Sequence, residues 1–173
     1  MVRKLQEDDA PAYVDLRRES LLKAPLALTS SPEDDFASSV EAVRELLRQS
    51  PNSVIFGAFV DRLIGVVGLY RDRHVKAAHR THLWGMYVSS ANRGHGIARK
   101  LLEAAINHAR SLPGVGWILL SVSSAAPEAR RLYEGVGFRI WGTEPDALRH
   151  EGQSVVEYHM ALQLDTDSAK AES

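Results

Sequence analysis

The chain has 173 residues, of which 45% are apolar and 25% are charged, and its formal net charge is −1. These values fit one globular domain, and the absence of a basic block gives no sign of a nucleic-acid partner. Because the chain contains no cysteine, disulfides, thiolate metal sites and a cysteine nucleophile are excluded.

Membrane insertion and metal binding receive no support from the sequence either. No apolar run is long enough to span a membrane, and the first residues, MVRKLQEDDA, lack the apolar core of a secretion signal. The seven histidines show no HExxH motif, and the nearest group is His74, His79 and His82. We therefore expect a cytoplasmic protein that uses neither a membrane nor a metal ion.

The first third of the chain predicts one strand followed by two helices. Residues 2–5 alternate between apolar and polar, as a strand does. A helix capped by Asp8 or Asp9 follows and ends near Lys23. A second helix is expected to begin at Ser31 and Pro32, with an apolar stripe formed by Phe36, Val40, Val43 and Leu47.

The middle of the chain predicts a β-hairpin and then a strand, a loop and a helix. Residues 54–60 and 63–70 are strand-like and are separated by a turn at Asp61-Arg62. A polar loop over residues 71–80 leads to an apolar strand over residues 83–88. The helix that follows has an apolar face formed by Ile97, Leu101, Leu102, Ala105, Ile106 and Ala109.

The last third predicts three more strands and a fourth helix. The strands are expected at residues 117–122, 138–141 and 155–164, with a helix from Pro127 to the glycines at 135 and 137, and a loop over residues 142–152. This order predicts one α/β (α+β) domain over residues 1–164, with a mixed, mostly antiparallel sheet of about seven strands flanked by four helices. Residues 165–173 are expected to form a flexible tail.

The segment between the central strand and its helix predicts an anion site. Gly94 and Gly96 allow positive φ and close approach of a ligand to the backbone. The free N–H groups and the dipole at the helix N-terminus favour a phosphate there, and Arg93, Arg99 and Lys100 add positive charge.

Two motifs identify the family that the chain resembles. The segment fits neither a Walker loop nor a G-x-G-x-x-G fingerprint, but it does fit [RQ]-x-x-G-x-[GA], filled by Arg93, Gly96 and Ala98. One strand further on, the segment from Ala129 to Phe138 is similar to A-x-x-L-Y-x-x-x-G-F. Both motifs, and the order of elements, resemble the GNAT superfamily of acetyl-CoA-dependent N-acetyltransferases.

The resemblance implies a V-shaped split between the central strand and the parallel strand that follows it, with acetyl-CoA in the cleft. Backbone groups of Met86, Tyr87 and Val88 would pair with the pantetheine arm, and the N–H near Val88 would bind the oxyanion. The pyrophosphate would be held by backbone groups of the loop residues Arg93, Gly94, His95, Gly96, Ile97, Ala98 and Arg99.

The resemblance also suggests catalytic groups. Tyr133 occupies the family's tyrosine position, where it would protonate the leaving thiolate; packing against Phe138 is the alternative role. The chain has Ala126 where many members have an asparagine that binds pantetheine, so either Ser123 or Ser124 replaces this contact or the contact is lost.

The general base is left open between two residues. Many members carry a glutamate near the start of the central strand, where this chain reads Thr81-His82-Leu83-Trp84. His82 is one candidate, because an imidazole with an ordinary pKa near 6.5 suits proton abstraction near neutral pH. Glu157 is the other, because a carboxylate inside an apolar strand needs a partner or a purpose.

The acceptor is expected to be a small-molecule amine, such as an amino acid or an amine-containing metabolite or antibiotic. A protein N-terminus or lysine, and a non-catalytic acyl-CoA-binding module, are the alternatives. The acceptor site would comprise Arg17, Arg18, residues 26–30, Trp84 and residues 141–150, with the arginines suited to a carboxylate. The sequence also allows a homodimer, which could form by edge-to-edge pairing of the strand at residues 155–164.

Overall fold

The computed structural model describes residues 1–48 and 50–165. The tail expected from residue 165 onward therefore lies almost entirely outside the described residues. The elements in chain order are β1 (Val2–Lys4), α1 (Ala10–Lys23), α2 (Val40–Leu47), β2 (Ser53–Phe59), β3 (Leu63–Arg71), β4 (Arg80–Val88), α3 (Ile97–Ser111), β5 (Trp117–Ser123), α4 (Pro127–Gly135), β6 (Arg139–His150) and β7 (Gln153–Gln163).

Over the described residues the strands form one mixed sheet in the order β1-β2-β3-β4-β5-β7-β6. Every neighbouring pair in this part of the chain is antiparallel except β4 and β5, which α3 joins as a crossover. The mixed sheet of seven strands with four helices predicted from the sequence is thus confirmed. The parallel pair lies in the middle of the sheet.

Apolar side chains are buried on both faces of the sheet. Val66 packs with α1 and α2 on one face, whereas its neighbour Val67 packs with α3 on the other. This is the two-residue alternation of a strand between two layers. Leu101, Leu102 and Ala105 of α3 are fully buried, so the helix that follows the central strand is fixed firmly against the sheet.

The second helix begins later than the sequence predicts. Only a single turn forms at Ser31, where the Asp34 N–H donates to the Ser31 carbonyl oxygen at 3.2 Å and the Asp34 carboxylate accepts from the Ser31 N–H at 2.7 Å. Asp35 then turns inward to Arg17, which interrupts the helix. The helix starts at Val40, where Ser39 accepts from the N–H of Ala42 at 3.1 Å. The start predicted at Ser31 and Pro32 is therefore wrong.

The loop predicted over residues 142–152 is also wrong, because most of it belongs to β6. The strand continues to His150, and a two-residue turn at Glu151 and Gly152, both with positive φ, reverses the chain into β7. The register of β6 with β7 is irregular between Glu144 and Leu148, and Asp146 in this segment has φ +53°. The irregularity breaks the apolar–polar alternation by which a strand is recognised in a sequence.

Strand β7 lies between β5 and β6, so it has a partner on each side. The edge pairing considered for residues 155–164 is therefore wrong. In the described part of the sheet, the edges are β1 and β6. No helix among the described residues is both long enough and apolar enough to cross a membrane.

Candidate active site

Strands β4 and β5 pair over three residues and then separate. The paired positions are Arg80 with Trp117, Thr81 with Ile118 and His82 with Leu119. The buried Thr81 hydroxyl closes this end by donating to the carbonyl oxygen of Trp117 at 3.1 Å. Among the described residues, β4 and β5 form no further pairs beyond His82. The two strands therefore diverge there, as the predicted V-shaped split requires.

A cavity of about 530 Å³ occupies this split, which is within the range of ligand sites in proteins. Residues 83–86 of β4 form one wall and residues 119–122 of β5 form the other. The rest of the lining comes from α1 and the chain after it, from β3, from α4 and the residue before it, and from β6 and β7, namely Arg17, residues 27–30, Phe36, Tyr70, Ala126, Ala129, Tyr133, Trp141, Glu157 and His159. The lining thus gathers residues that are far apart in sequence.

A β-bulge turns the β4 backbone toward this cavity. Val66 pairs with Tyr87 and Gly68 with Trp84, so Gly85 and Met86 lie opposite the single residue Val67. Gly85 has φ +61°, a conformation that glycine adopts without strain. The sequence carries a signal for this feature, a glycine inside an apolar strand, but sequence reasoning did not single out Gly85.

The N–H of Val88 is directed away from β3. Ser89 donates its N–H to the carbonyl oxygen of Ile64 at 2.8 Å, and backbone groups alternate in direction along an extended strand. The Val88 N–H therefore faces the side on which β5 has diverged. On that edge, the Arg93 guanidinium donates to the Val88 carbonyl oxygen at 2.9 Å, so Arg93 buttresses the end of the strand.

The glycine loop leads into α3 with the predicted backbone conformations. Gly94 and Gly96 have φ +81° and +72°, and Gly96 is the N-cap of the helix. Among the described residues, no atom other than the immediate neighbours lies within 4 Å of a Cβ added at either glycine. The first-turn N–H groups of Ile97, Ala98 and Arg99 thus open onto space that a phosphate can fill. Arg99 forms an exposed ion pair with Glu103 at 3.0 Å.

Two residues predicted to contact the cofactor, Tyr87 and Ser124, use their side chains in hydrogen bonds within the protein. The Tyr87 hydroxyl donates to Glu19 at 3.1 Å on the α1 side of the sheet, so only its backbone faces the cleft. Ser124 exchanges hydrogen bonds with Val156, through its N–H at 2.9 Å and its hydroxyl oxygen at 3.3 Å. Ser124 therefore ties the end of β5 to β7.

Tyr133 projects from α4 into the wall of the cavity. It is buried, and its ring meets that of Phe138 edge-on with centroids 5.7 Å apart. Burial raises the pKa of Tyr133 well above its ordinary value, so the phenol stays protonated at neutral pH. Both roles suggested by the sequence, packing against Phe138 and presenting a proton, are compatible with this placement.

His82 forms a pair with Asp72, a residue that sequence reasoning missed. Its Nε2 lies 2.8 Å from the Asp72 carboxylate, and its ring stacks on Tyr70 with centroids 4.7 Å apart. The hydrogen bond from His82, with Arg80 nearby, lowers the pKa of Asp72. An ionised Asp72 carboxylate can only accept a hydrogen bond, so in a neutral His82 ring Nε2 carries the proton and donates that bond. Nδ1 of the ring is then the nitrogen with a free lone pair, which can take a proton.

Glu157 lies on the opposite wall of the same cavity. Burial, and then repulsion from the neighbouring Glu144, raise the pKa of its carboxyl above the ordinary value. Glu144 is its direct partner in the β6–β7 ladder. The structure thus brings both candidate bases, His82 and Glu157, to one cavity together with Tyr133.

The outer part of the cavity is organised by a buried ion pair. Arg17 donates through Nη2 to Asp35 at 2.7 Å and through Nε at 3.1 Å. The Arg17 guanidinium also lies 5.1 Å from the ring centre of Phe36, which meets the Trp84 ring edge-on at 5.5 Å. Most of the charge of Arg17 is thereby matched by Asp35.

The acceptor residues predicted from the sequence are only partly gathered here. Arg17, residues 27–30, Trp84 and Trp141 line the cavity, whereas Arg18 is exposed outside it and most of residues 142–150 lie along β6. Asp35 and Phe36, which were assigned to the second helix, also belong to this wall or support it. In the described part of the chain, no group of three or more histidine, aspartate or glutamate side chains is placed to hold a metal ion.

Comparison with known proteins gives a family match over most of the chain. The model described as the acetyltransferase (GNAT) family matches residues 16–138. A GCN5-related N-acetyltransferase from Kribbella flavida shares the fold with a TM-score of 0.81 and 27% identity, over 95% of this chain and 97% of that one. The protein yncA from Salmonella typhimurium, solved with its cofactor acetyl-CoA, gives a TM-score of 0.82 and 21% identity, over 100% and 98%.

A curated relative is similar over a shorter segment. It is N-alpha-acetyltransferase 40 of Saccharomyces cerevisiae, which is 43% identical over 63 residues. That match covers 33% of this chain and 22% of the yeast protein.

Proposed function

The chain belongs to the GNAT acetyltransferase family, and we propose that it transfers the acetyl group of acetyl-CoA directly to a primary amine of a small molecule. The observation that carries this proposal is the cleft between β4 and β5, which opens after three paired positions and contains a bulged, glycine-containing backbone on one wall.

The residues of the cleft fit the donor. On β4, the edge that faces the gap includes Met86, Tyr87 and Val88, which would pair with the pantetheine amides as an added strand does. The glycine loop from Arg93 to Arg99 has positive φ at two positions and open space in front of the helix N-terminus, which suits a pyrophosphate. Ser124, the residue that follows β5, would add a hydroxyl near the pantetheine.

The chain supplies a group for each proton and charge that the transfer has to handle. The Val88 N–H would bind the carbonyl oxygen as negative charge develops on it. Tyr133, which burial keeps protonated, would donate a proton to the leaving sulfur. His82, positioned by Asp72, is our first choice as the base that deprotonates the acceptor ammonium, and Glu157 is the competing choice.

Aromatic side chains and the inward-facing loop after α1 favour a small acceptor. Phe36, Tyr70 and Trp84 surround the outer cavity, and residues 27–30 cover it from the α1 side. The volume of about 530 Å³ suits a molecule of drug size or smaller. Because Asp35 matches the charge of Arg17, a carboxylate on the acceptor gains less here than a free arginine would give it.

A peptide N-terminus is the second candidate acceptor. It is favoured by the similarity of one segment to the yeast N-alpha-acetyltransferase, which covers only 22% of that protein. A small amine and the first residue of a peptide place the same ammonium group near the base. The two acceptors differ in that the rest of a peptide chain must extend out of the cavity, whereas a small amine fits inside it.

A screen of acceptors tests the proposal. Purified protein is mixed with acetyl-CoA and single amino acids, alkyl and aromatic amines, or short peptides with free N-termini, and thiol release is followed. We expect release that depends on small amines and is weaker with peptides. Stronger release with peptides would replace the small-molecule assignment by the second candidate. Tight acetyl-CoA binding without release on any amine would indicate an acyl-CoA-binding module instead.

A further inference from the structure

A second histidine network lies on the β5 side of the cavity. Ser121 of β5 and His159 of β7 are direct partners in the ladder, and Ser121 Oγ lies 2.7 Å from His159 Nδ1. The other ring nitrogen, Nε2, lies 3.0 Å from the carboxylate of Glu144 on β6. Three neighbouring strands thus place a hydroxyl, an imidazole and a carboxylate in a row.

The chemistry of the carboxylate fixes the direction of these hydrogen bonds. An ionised Glu144 can only accept a hydrogen bond, so Nε2 of His159 carries a proton and donates the hydrogen bond to Glu144. Nδ1 of the neutral ring is then an acceptor, and the Ser121 hydroxyl donates to it. A serine whose proton already points at an imidazole, which a carboxylate orients in turn, has the arrangement of an activated nucleophile.

The network faces the place where the acetyl thioester would lie. Ser121 is two residues beyond Leu119, the last β5 residue that pairs with β4, so it lies in the diverging part of the strands. Ser121 and His159 line the same cavity as Met86 and Tyr133. The Trp141 ring covers the His159 imidazole, with ring centroids 5.3 Å apart.

We propose that Ser121 is a nucleophile which takes the acetyl group from acetyl-CoA, with His159 as its base and Glu144 as the residue that positions His159. This inference rests on acetyl-CoA binding in the cleft and does not depend on which amine is the acceptor. It gives the protein a second activity, the hydrolysis of acetyl-CoA in the absence of an amine.

Each of the two steps of this activity conserves atoms and charge. Ser121 Oγ forms a bond to the acetyl carbonyl carbon while its proton passes to Nδ1 of His159; the carbon–sulfur bond breaks, and the sulfur leaves with the electron pair and takes that proton to become the CoA thiol. Water then attacks the ester carbon and gives one proton to His159. The Ser121–acyl bond breaks, Oγ regains the proton from His159, and acetic acid, which keeps the second proton of the water, is released and ionises to acetate in solution.

The test measures thiol release and protein acetylation without any amine. Wild-type protein and the variants Ser121→Ala, His159→Gln and Glu144→Gln are incubated with acetyl-CoA, quenched in acid and digested for mass spectrometry. Ser154→Ala is the matched control, because Ser154 is an exposed β7 hydroxyl that donates to Asp146, outside the cavity. Thermal unfolding of each variant establishes that it is folded.

We expect wild-type protein and Ser154→Ala to release thiol slowly and to carry an acetyl group on the peptide that contains Ser121. Hydroxylamine should remove this group, as it removes an ester. Ser121→Ala and His159→Gln should lower the release by about 100-fold or more, the lower end of what a positioned base contributes. Glu144→Gln should lower it less, since the base itself remains.

The proposal is overturned if wild-type protein releases no thiol without an amine, if Ser121→Ala releases it at the wild-type rate, or if the acetyl group lies on another residue. Amine-dependent transfer is measured on the same samples. If it persists in wild-type protein while the ester is absent, this inference fails and the proposed function stands. If the Ser121 ester forms but no amine is acetylated, the proposed function fails instead.

Discussion

Asp35→Asn should destabilise the protein strongly, because it breaks a buried ion pair from one side. Arg17 and Asp35 are 7% and 4% exposed, with a shortest N–O distance of 2.7 Å. Removing one partner of such a pair leaves an uncompensated buried charge and costs about 3–5 kcal/mol. Asparagine keeps one oxygen for the N–H of Ala37, which Asp35 now accepts at 3.2 Å, so we expect a value near 3 kcal/mol.

For a domain of this size, that loss corresponds to a fall in melting temperature of about 6–12 °C. The effect should also depend on pH. Burial alone would raise the pKa of Asp35, but the hydrogen bonds and charge of Arg17 outweigh it and lower that pKa. A lowered folded-state pKa contributes stability above the unfolded value of about 3.9 and loses it as pH falls through the folded value. The difference between wild type and Asp35→Asn should therefore shrink in acid.

Glu45→Gln is the matched control for this experiment. Glu45 and Arg48 are also 2.7 Å apart, but their side chains are 68% and 63% exposed. Solvent screens such a pair, so its loss should cost no more than about 1 kcal/mol. Urea unfolding at neutral pH measures both variants. If they shift the free energy of unfolding equally, the reasoning that burial makes Arg17–Asp35 costly to break is refuted.

Four further substitutions test the site. Tyr133→Phe removes the proposed acid, so turnover should fall by about 100-fold or more while calorimetry shows acetyl-CoA affinity nearly unchanged; unchanged turnover excludes that role. Removing the base should flatten the acid limb of the profile of kcat/KM against pH, and because burial and Glu144 raise the pKa of Glu157, the limb lost in Glu157→Gln should lie above the ordinary carboxyl range. If neither Glu157→Gln nor His82→Ala changes the profile, both base assignments fail. Gly96→Ala places a side chain at φ +72°, which should lower the free energy of unfolding by about 1–2 kcal/mol even though the site has space; an unchanged urea midpoint would show that the turn tolerates it.

The sequence predicted the centre of the molecule better than its ends. The periodicity is clean along α3, where the apolar face with Leu101, Leu102 and Ala105 indicated the right helix and the right burial. The positive φ expected at Gly94 and Gly96 is also confirmed, because a glycine beside a helix start commonly supplies a conformation that other residues avoid.

Errors arose where tertiary contacts override local signals. Ser31-Pro32-Glu33-Asp34 has the composition of a helix start, but the pairing of Asp35 with Arg17 draws the chain inward before a second turn can form. In β6, Pro145 and Asp146 resemble loop residues, yet an irregular register accommodates them within the strand. Neither contact can be read from neighbouring residues.

The candidate site shows the same division. Motifs placed Tyr133 and the glycine loop, and a lone histidine in a strand suggested His82. Its partner Asp72 is ten residues earlier in the chain, across a loop, and the network of Ser121, His159 and Glu144 spans three strands. Such partners are set by how the strands pair across the sheet, which the sequence did not reveal, and Glu144 was hidden further because the extent of β6 was missed.

Transfer of an acetyl group to an amine in the cleft between β4 and β5 is tested most directly with acetyl-CoA that carries an isotopically labelled acetyl group. The labelled donor is mixed with the protein and a panel of amines, and label and thiol are followed together. We predict that one amine class acquires the label in equal amount to the CoA thiol released above the amine-free rate. Binding of acetyl-CoA with no label on any amine would contradict this function.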